Sequence, residues 1–388
     1  MGAAPGPDLA LPALLEEAVA RAGPCSGEVP FTDTLELLVS SSLRTGRLNG
    51  TGHEVLRKAA LRHLRNLLYV QAHLDAHPSS ARTPLDEPVV VTGLPRTGTT
   101  LLHNLLALDP SNRVLALWEA LHPVPPSAGG PSVERRRAQA EAWLAAFYAM
   151  VPEFRAIHPA TATGPEECDA LLQNTFASQH FDDMFDAVEY SAWLAEAPLT
   201  DEYRHYALQL RVLAAGSGPG TRWALKSPSH LGHLDALLEA LPGARVVICH
   251  RHPREAVPSY ASLILALRRP YSQEASPAVV GRQALHRAAA AMRRALAVRD
   301  RVGEAAFVDV SYPELAADPV AAVVEVYRRL GRPLDAAGEE RMLRWAAENP
   351  RHKHGPHRYD LAGFGLTGAE VDAAFAPYLE RFGAAVDG

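Results

Sequence analysis

Eight consecutive residues, Gly93-Leu94-Pro95-Arg96-Thr97-Gly98-Thr99-Thr100, combine glycine, one cation and hydroxyl groups in a way that suits an anion. They lie between a β-branched run, Pro88–Thr92, and an apolar stretch of helical spacing, Thr99–Leu108. A loop in that setting aims backbone N–H groups and a helix N-terminus at a phosphate-like group. Thr99 and Thr100 add hydroxyl donors. The nucleoside-triphosphate form of this loop ends in Gly-Lys-Ser/Thr. Here Thr99 stands at the Lys position, and no acidic magnesium ligand is in place. A glycine turn that binds nothing is the bland alternative, and the strand–loop–helix setting weighs against it.

Further candidates stand at the ends of other apolar runs. Arg251, after Ala244–Cys249, and Ser259, two helical turns on, could grip a second phosphate, the guanidinium as a planar fork and the hydroxyl as a donor. An Arg capping a sheet end is the alternative. Lys226 closes Arg222–Lys226 and points at the same cleft as Arg96, unless it is a surface lysine. Tyr312, after Ala306–Val310, is either a cleft residue or core. The segment Arg351-His-Lys353-His-Gly355-Pro-His357-Arg358-Tyr359 is dense in cations and free of acids. It reads as a surface tail, or through His352, His354 and His357 as a metal site. A hydroxyl acceptor would need a base within hydrogen-bond reach. Glu119 follows a short expected strand, Arg113–Ala116, beyond the loop. Glu166, Glu167, His103 and His122 compete with it, and His103 sits one helical turn past Thr99.

The elements that must hold these residues alternate. Strands are expected at 88–92, 222–226, 244–249 and 306–310, followed by helices at 99–108, 230–241, from 253 and at 319–330. Such alternation implies a parallel sheet covered on both faces, with ligands at the carboxyl ends of the strands. The fold expected is α/β, a P-loop-type central parallel sheet flanked by helices, with an N-terminal helical extension. Helices at 9–21, 33–45 and 53–76 form that extension, residues 1–84. Residues 85–388 form the main domain, with a helical insertion at about 133–217 and a C-terminal lid at about 350–366. The insertion carries Trp143, Phe147, Tyr148, Phe154, Phe176, Phe181, Phe185, Tyr190 and Trp193, mostly core by default, some able to line an apolar acceptor pocket. Arg135-Arg136-Arg137 reads as a solvated helix face.

The chain of 388 residues is 47% hydrophobic and 21% charged, with a net charge of −6. Ordinary globular composition of this length supplies a sizeable core, and the acidic balance argues against nucleic acid as a partner. Cys25, Cys168 and Cys249 match no zinc or redox spacing, which fits a reducing cytoplasm. No targeting segment or membrane span is expected.

Together these separated motifs, from about Pro88 to Phe364, resemble the sulfotransferases that use 3′-phosphoadenosine 5′-phosphosulfate (PAPS), most closely the bacterial branch and more loosely the tyrosylprotein sulfotransferases. The resemblance implies that Pro95, Arg96, Thr97, Gly98, Thr99 and Thr100 hold the 5′-phosphosulfate. It implies that Arg251 and Ser259 take the 3′-phosphate, with Lys353 and the Gly355 amide from the lid, and that Tyr312 lies near the adenine. Arg96 and Lys226 would stabilise the transferring sulfuryl group, and Glu119 would be the base, with His103 a further catalytic candidate. The acceptor would be a hydroxyl of a small, lipophilic molecule, and no metal is required. A nucleotide kinase or NTPase, a non-catalytic nucleotide-binding module and a membrane-associated glycan sulfotransferase stand as alternatives.

Overall fold

The structure is a computed structural model and describes residues 8–23, 27–126, 131–215, 222–349 and 359–386. Val89–Gly93 is apolar or small at successive positions because both of its faces are covered. As strand β1 it is buried throughout. Val90 joins one core cluster, while Val89 and Val91 join the other. Strands β2 (Asn112–Arg113), β3 (Arg222–Lys226), β4 (Arg245–His250) and β5 (Phe307–Ser311) complete a parallel sheet in the order β2-β3-β1-β4-β5.

Register decides where the chemistry emerges. Val91 pairs with Lys226, Gly93 with Cys249, and His250 with Ser311. The loop after β1, Lys226, Arg251 and Tyr312 therefore leave the sheet along one edge. β1 is also where the strand order changes direction, with β3 on one side and β4 on the other. A crevice opens outside the carboxyl ends at such a switch point.

The helices Thr99–Leu106 and Pro319–Leu330 cover one face through Leu102, Leu105, Val320 and Val323. The helices Pro253–Arg268 and Pro277–Val302 cover the other. The N-terminal helices Leu11–Ala22, Thr32–Thr45 and Gly50–Ala76 share that second core, in which Leu14, Leu38 and Leu64 lie with Val90 and Val246.

Several local expectations change. The stretch 166–217 is broken into Asp169–Leu172, Gln179–Phe185, Val188–Glu196 and Thr200–Ala214. Left-handed backbone at Phe176, Asp186 and Leu199 separates them, with φ of 59°, 52° and 51°. Residues 165–168 are an extended strap. Pro165 bridges Ala116, the Glu166 amide donates to the Leu115 carbonyl at 2.8 Å, and the Cys168 amide to the Lys226 carbonyl at 3.0 Å. The strand expected at 113–116 shrinks to Asn112–Arg113. Arg136 is only 4% exposed, because its guanidinium donates to the Val124 and Pro125 carbonyls rather than to solvent. Cys168 and Cys249 are buried thiols, and Cys25 lies outside the described residues. Among the described residues no helix is long and apolar enough to cross a membrane.

Candidate active site

The loop after β1 is shaped by close approaches. A Cβ on Gly93 (φ 149°) would meet the Cys249 carbonyl oxygen at 2.5 Å. One on Gly98 (φ 90°) would meet Tyr312 and Leu315 at 2.9 Å. The Thr97 hydroxyl donates to the Leu94 carbonyl at 2.8 Å and closes the turn, while Arg96 takes the left-handed region at φ 72°. The amides of Arg96, Thr97 and Gly98 find no protein acceptor among the described residues. Those of Thr99, Thr100 and Leu101 open a helix whose N-cap, Gly98, gives no side-chain bond. The first N–H groups of a helix lack intrahelical partners, so a cradle of orphan donors faces the crevice. This donor set fits a phosphosulfate or phosphate.

The second candidate cradle adjoins the first. Arg251 Nη1 donates to the Arg96 carbonyl at 2.9 Å, and its guanidinium stacks 4.4 Å from the Tyr312 ring. Glu255 holds Arg251 Nη2 at 2.8 Å. Arg96 Nε donates to Ser259 Oγ at 3.3 Å and Nη1 to the Ile157 carbonyl at 2.8 Å. Burial pushes the Arg96 pKa down; Tyr359 opposes this and nearby Arg251 adds to it. For Arg251 burial also lowers, but Tyr312, Tyr359 and Glu255 outweigh it and the shift is upward. Arg96, Ser259, Arg251 and Tyr312 thus form one contiguous group. Lys353 and Gly355 lie outside the described residues, as do His352, His354 and His357. The chain re-enters the described part at Tyr359, beside Arg96 and Arg251.

Lys226 is 1% exposed, and its ammonium contacts Glu167 Oε1 at 2.6 Å and Thr100 Oγ1 at 3.4 Å. The strap explains this pairing, because Cys168 is pinned to the Lys226 carbonyl and the preceding residue must lie beside the lysine. Burial alone would raise the Glu167 pKa; the Lys226 and His158 charges and the Lys226 hydrogen bond overcome it, and the net shift is downward. Burial acts likewise on Glu166, but His158, 3.5 Å away, brings it down to about 2.

Two expected catalytic residues have other work. The Glu119 carboxylate accepts from Arg113 Nη2 at 2.7 Å and from the Ala116 amide at 3.1 Å. It caps the helix Leu117–Leu121 and neutralises an arginine that stacks on Trp223 at 4.3 Å. Each Glu119 oxygen thus carries a structural contact, one to an arginine and one to a helix N-terminus. His103 packs away from the loop mouth. It is 1% exposed, and Nε2 lies 3.0 Å from the Ala224 carbonyl, so the ring packs on β3. Burial pushes it down to about 4. Sequence reasoning ranked Glu167 below Glu119 and missed His158, Ile157 and Tyr359. The Glu-Glu pair between Pro165 and Cys168 was the available signal. Among the described residues no three His, Cys, Asp or Glu side chains gather as a metal site.

The glycine loop, Lys226, Arg96 and Arg251 thus share one crevice at the carboxyl ends of the strands. The sulfotransferase family model matches residues 88–336, and the chain belongs to the sulfotransferase family. It is similar to sulfotransferase STF9 from Mycobacterium avium, at 28% identity and a TM-score of 0.81, covering 95% of both chains. It is also similar to sulfotransferase STF1 from Mycobacterium tuberculosis H37Rv, at 28% identity and a TM-score of 0.83, covering 95% of this chain and 99% of that one. No curated protein matches.

Proposed function

We propose that the chain moves a sulfuryl group from PAPS to a hydroxyl of a small molecule, with Glu167 as the base. The observation that carries this reading is the meeting of Lys226, Glu167 and Thr100 at the mouth of a loop rich in unpaired amides. Loop amides and the Thr99 and Thr100 hydroxyls would hold the 5′-phosphosulfate. Arg251 and Ser259 would take the 3′-phosphate, with Tyr312 near the base ring and Lys353 and Gly355 completing the site from the segment that follows residue 349.

The Lys226–Glu167 pair supplies the chemistry. The downward shift of Glu167 keeps its carboxylate ionised and able to take a proton. Lys226 shares its ammonium between that carboxylate and Thr100. A sulfuryl group beside Thr100 would draw the ammonium toward its oxygens and leave the carboxylate to the acceptor hydroxyl. The acceptor oxygen then bonds to sulfur, its proton passes to Glu167, and the sulfur–phosphate oxygen bond breaks with its electron pair on the phosphate. Arg96, Lys226 and the loop amides stabilise the charge that develops, which is usually the largest catalytic contribution. The departing bisphosphate is already a stable anion, so no step requires a metal.

The test uses labelled PAPS and a panel of phenols and aliphatic alcohols. The Glu167→Gln protein should bind adenosine 3′,5′-bisphosphate as the wild type does and lose transfer by ~10²–10⁴-fold. Near-wild-type transfer by that variant would move the base elsewhere. Nucleotide binding without transfer to any acceptor by the wild type would favour a binding module.

A further inference from the structure

The helix Gly50–Ala76 places Arg62 and Arg65 one turn apart, and neither meets a carboxylate among the described residues. Arg62 is half-buried. Among the described residues its one hydrogen-bond contact is His63 Nε2 at 3.1 Å, and its Nε is buried without a partner there. Among the described residues Arg65 reaches only the Tyr69 hydroxyl, at 3.4 Å, and its Nε is likewise unpaired. Arg136 is held by two carbonyls, and nearby His122 is lowered by burial first and then by the charges of Arg136, Arg65 and Arg62. Burial brings the Arg62 guanidinium down to about 10 with no acid opposing it. Charged groups are seldom buried unless paired. An uncompensated cluster of guanidiniums costs stability, and such a cost is retained where a ligand offsets it.

The cluster and the proposed base share an electrostatic neighbour: burial chiefly lowers the His180 pKa, and Arg62, Glu167, Glu166 and His158 also act on it. A series of ring contacts also leads from Arg62 to His158. Arg62 lies 5.6 Å from the Trp143 ring, Trp143 stacks on Phe147 at 5.6 Å, Phe147 meets Phe154 at 5.0 Å, and Phe154 meets His158 at 5.7 Å. His158 closes the path on Glu166 at 3.5 Å. Trp143 is 38% exposed.

We infer that Arg62, with Arg65, is an anion subsite for the acceptor: the acceptor is an amphipathic hydroxy acid, its hydroxyl at Glu167, its apolar body along Trp143, Phe147 and Phe154, and its acidic group on the guanidiniums. The inference rests on the sulfotransferase reading of the Glu167 site. A planar guanidinium fork suits a carboxylate or a phosphate monoester.

The test is calorimetric binding to the full chain saturated with adenosine 3′,5′-bisphosphate. The probes are 4-hydroxyphenyl alkanoates of increasing chain length, their methyl esters, and the matching alkyl phosphate monoesters. At one or more lengths the carboxylate or the phosphate should bind at least ~10-fold tighter than the ester, as loss of one charge-assisted contact implies. The better anion identifies the acidic group. Arg62→Ala should abolish the preference, Arg62→Lys should keep part of it, and both should bind the bisphosphate normally. Arg62→Leu should melt at the same or a higher temperature than the wild type, whereas a structural arginine would lower it. Equal binding of anions and esters at every length, absence of binding by any anion, or an undiminished preference in Arg62→Ala overturns the subsite. Failure of the bisphosphate itself to bind would instead count against the function proposed for the glycine loop.

Discussion

Glu167 and Glu119 are both carboxylates held by a cation, and they differ in what remains available to a substrate. Glu119 caps a helix and neutralises Arg113, so Glu119→Gln should leave turnover within a few-fold of wild type. It should lower stability by about 1–3 kcal/mol, because a hydrogen-bonded ion pair is lost at a largely buried arginine. Thermal unfolding and a transfer assay on the same preparation check both halves. For Glu167 the consequence is a pH profile. Its folded pKa is lowered from 4.5, so the proton-accepting form persists as pH falls below that value. The acid limb of kcat/KM should therefore lie below pH 4.5. A limb near ~6.5 would point to a histidine instead. The same depression makes the Lys226–Glu167 pair stabilising above the unfolded pKa, with that contribution lost as pH falls through the folded one.

At the scale of elements, the glycine loop depends on backbone that other residues strain to adopt. Gly98 combines φ 90° with a Cβ approach of 2.9 Å to Tyr312 and Leu315. Gly98→Ala should cost about 1–3 kcal/mol and weaken nucleotide binding, since the helix N-terminus must shift away from the ring. Chemical denaturation and calorimetry on this variant measure the two effects. This loop was legible in the sequence because its glycines, hydroxyls and flanking run fall in eight residues. The strap at 165–168 was not. Its pairing spans too few residues to leave a periodic pattern, and it joins partners far apart in the chain, at 115–116 and 226. Without it, Glu119 looked better placed than Glu167. The breaks at Phe176, Asp186 and Leu199 were hidden for a related reason, because these residues take left-handed backbone without glycine.

At the scale of the molecule, alternating strand and helix patterns announced the parallel sheet, and the end of each strand named its cleft residue. The N-terminal helices were legible as helices, while their destination was not, since periodicity says which face is apolar and not what covers it. They share a core with the sheet, with Leu64 fully buried among them. Leu64→Ala should cost about 2–5 kcal/mol in urea denaturation of the whole chain as one transition. A separate, early transition for residues 11–76 would show that they fold on their own.

The account stands most directly on whether the glycine loop and Arg251 serve one nucleotide. Calorimetric titration without magnesium should show adenosine 3′,5′-bisphosphate binding at least ~10-fold tighter than adenosine 5′-phosphate, with Arg251→Ala removing the difference. Equal affinity for the two nucleotides, or a preference for magnesium ATP, would contradict it.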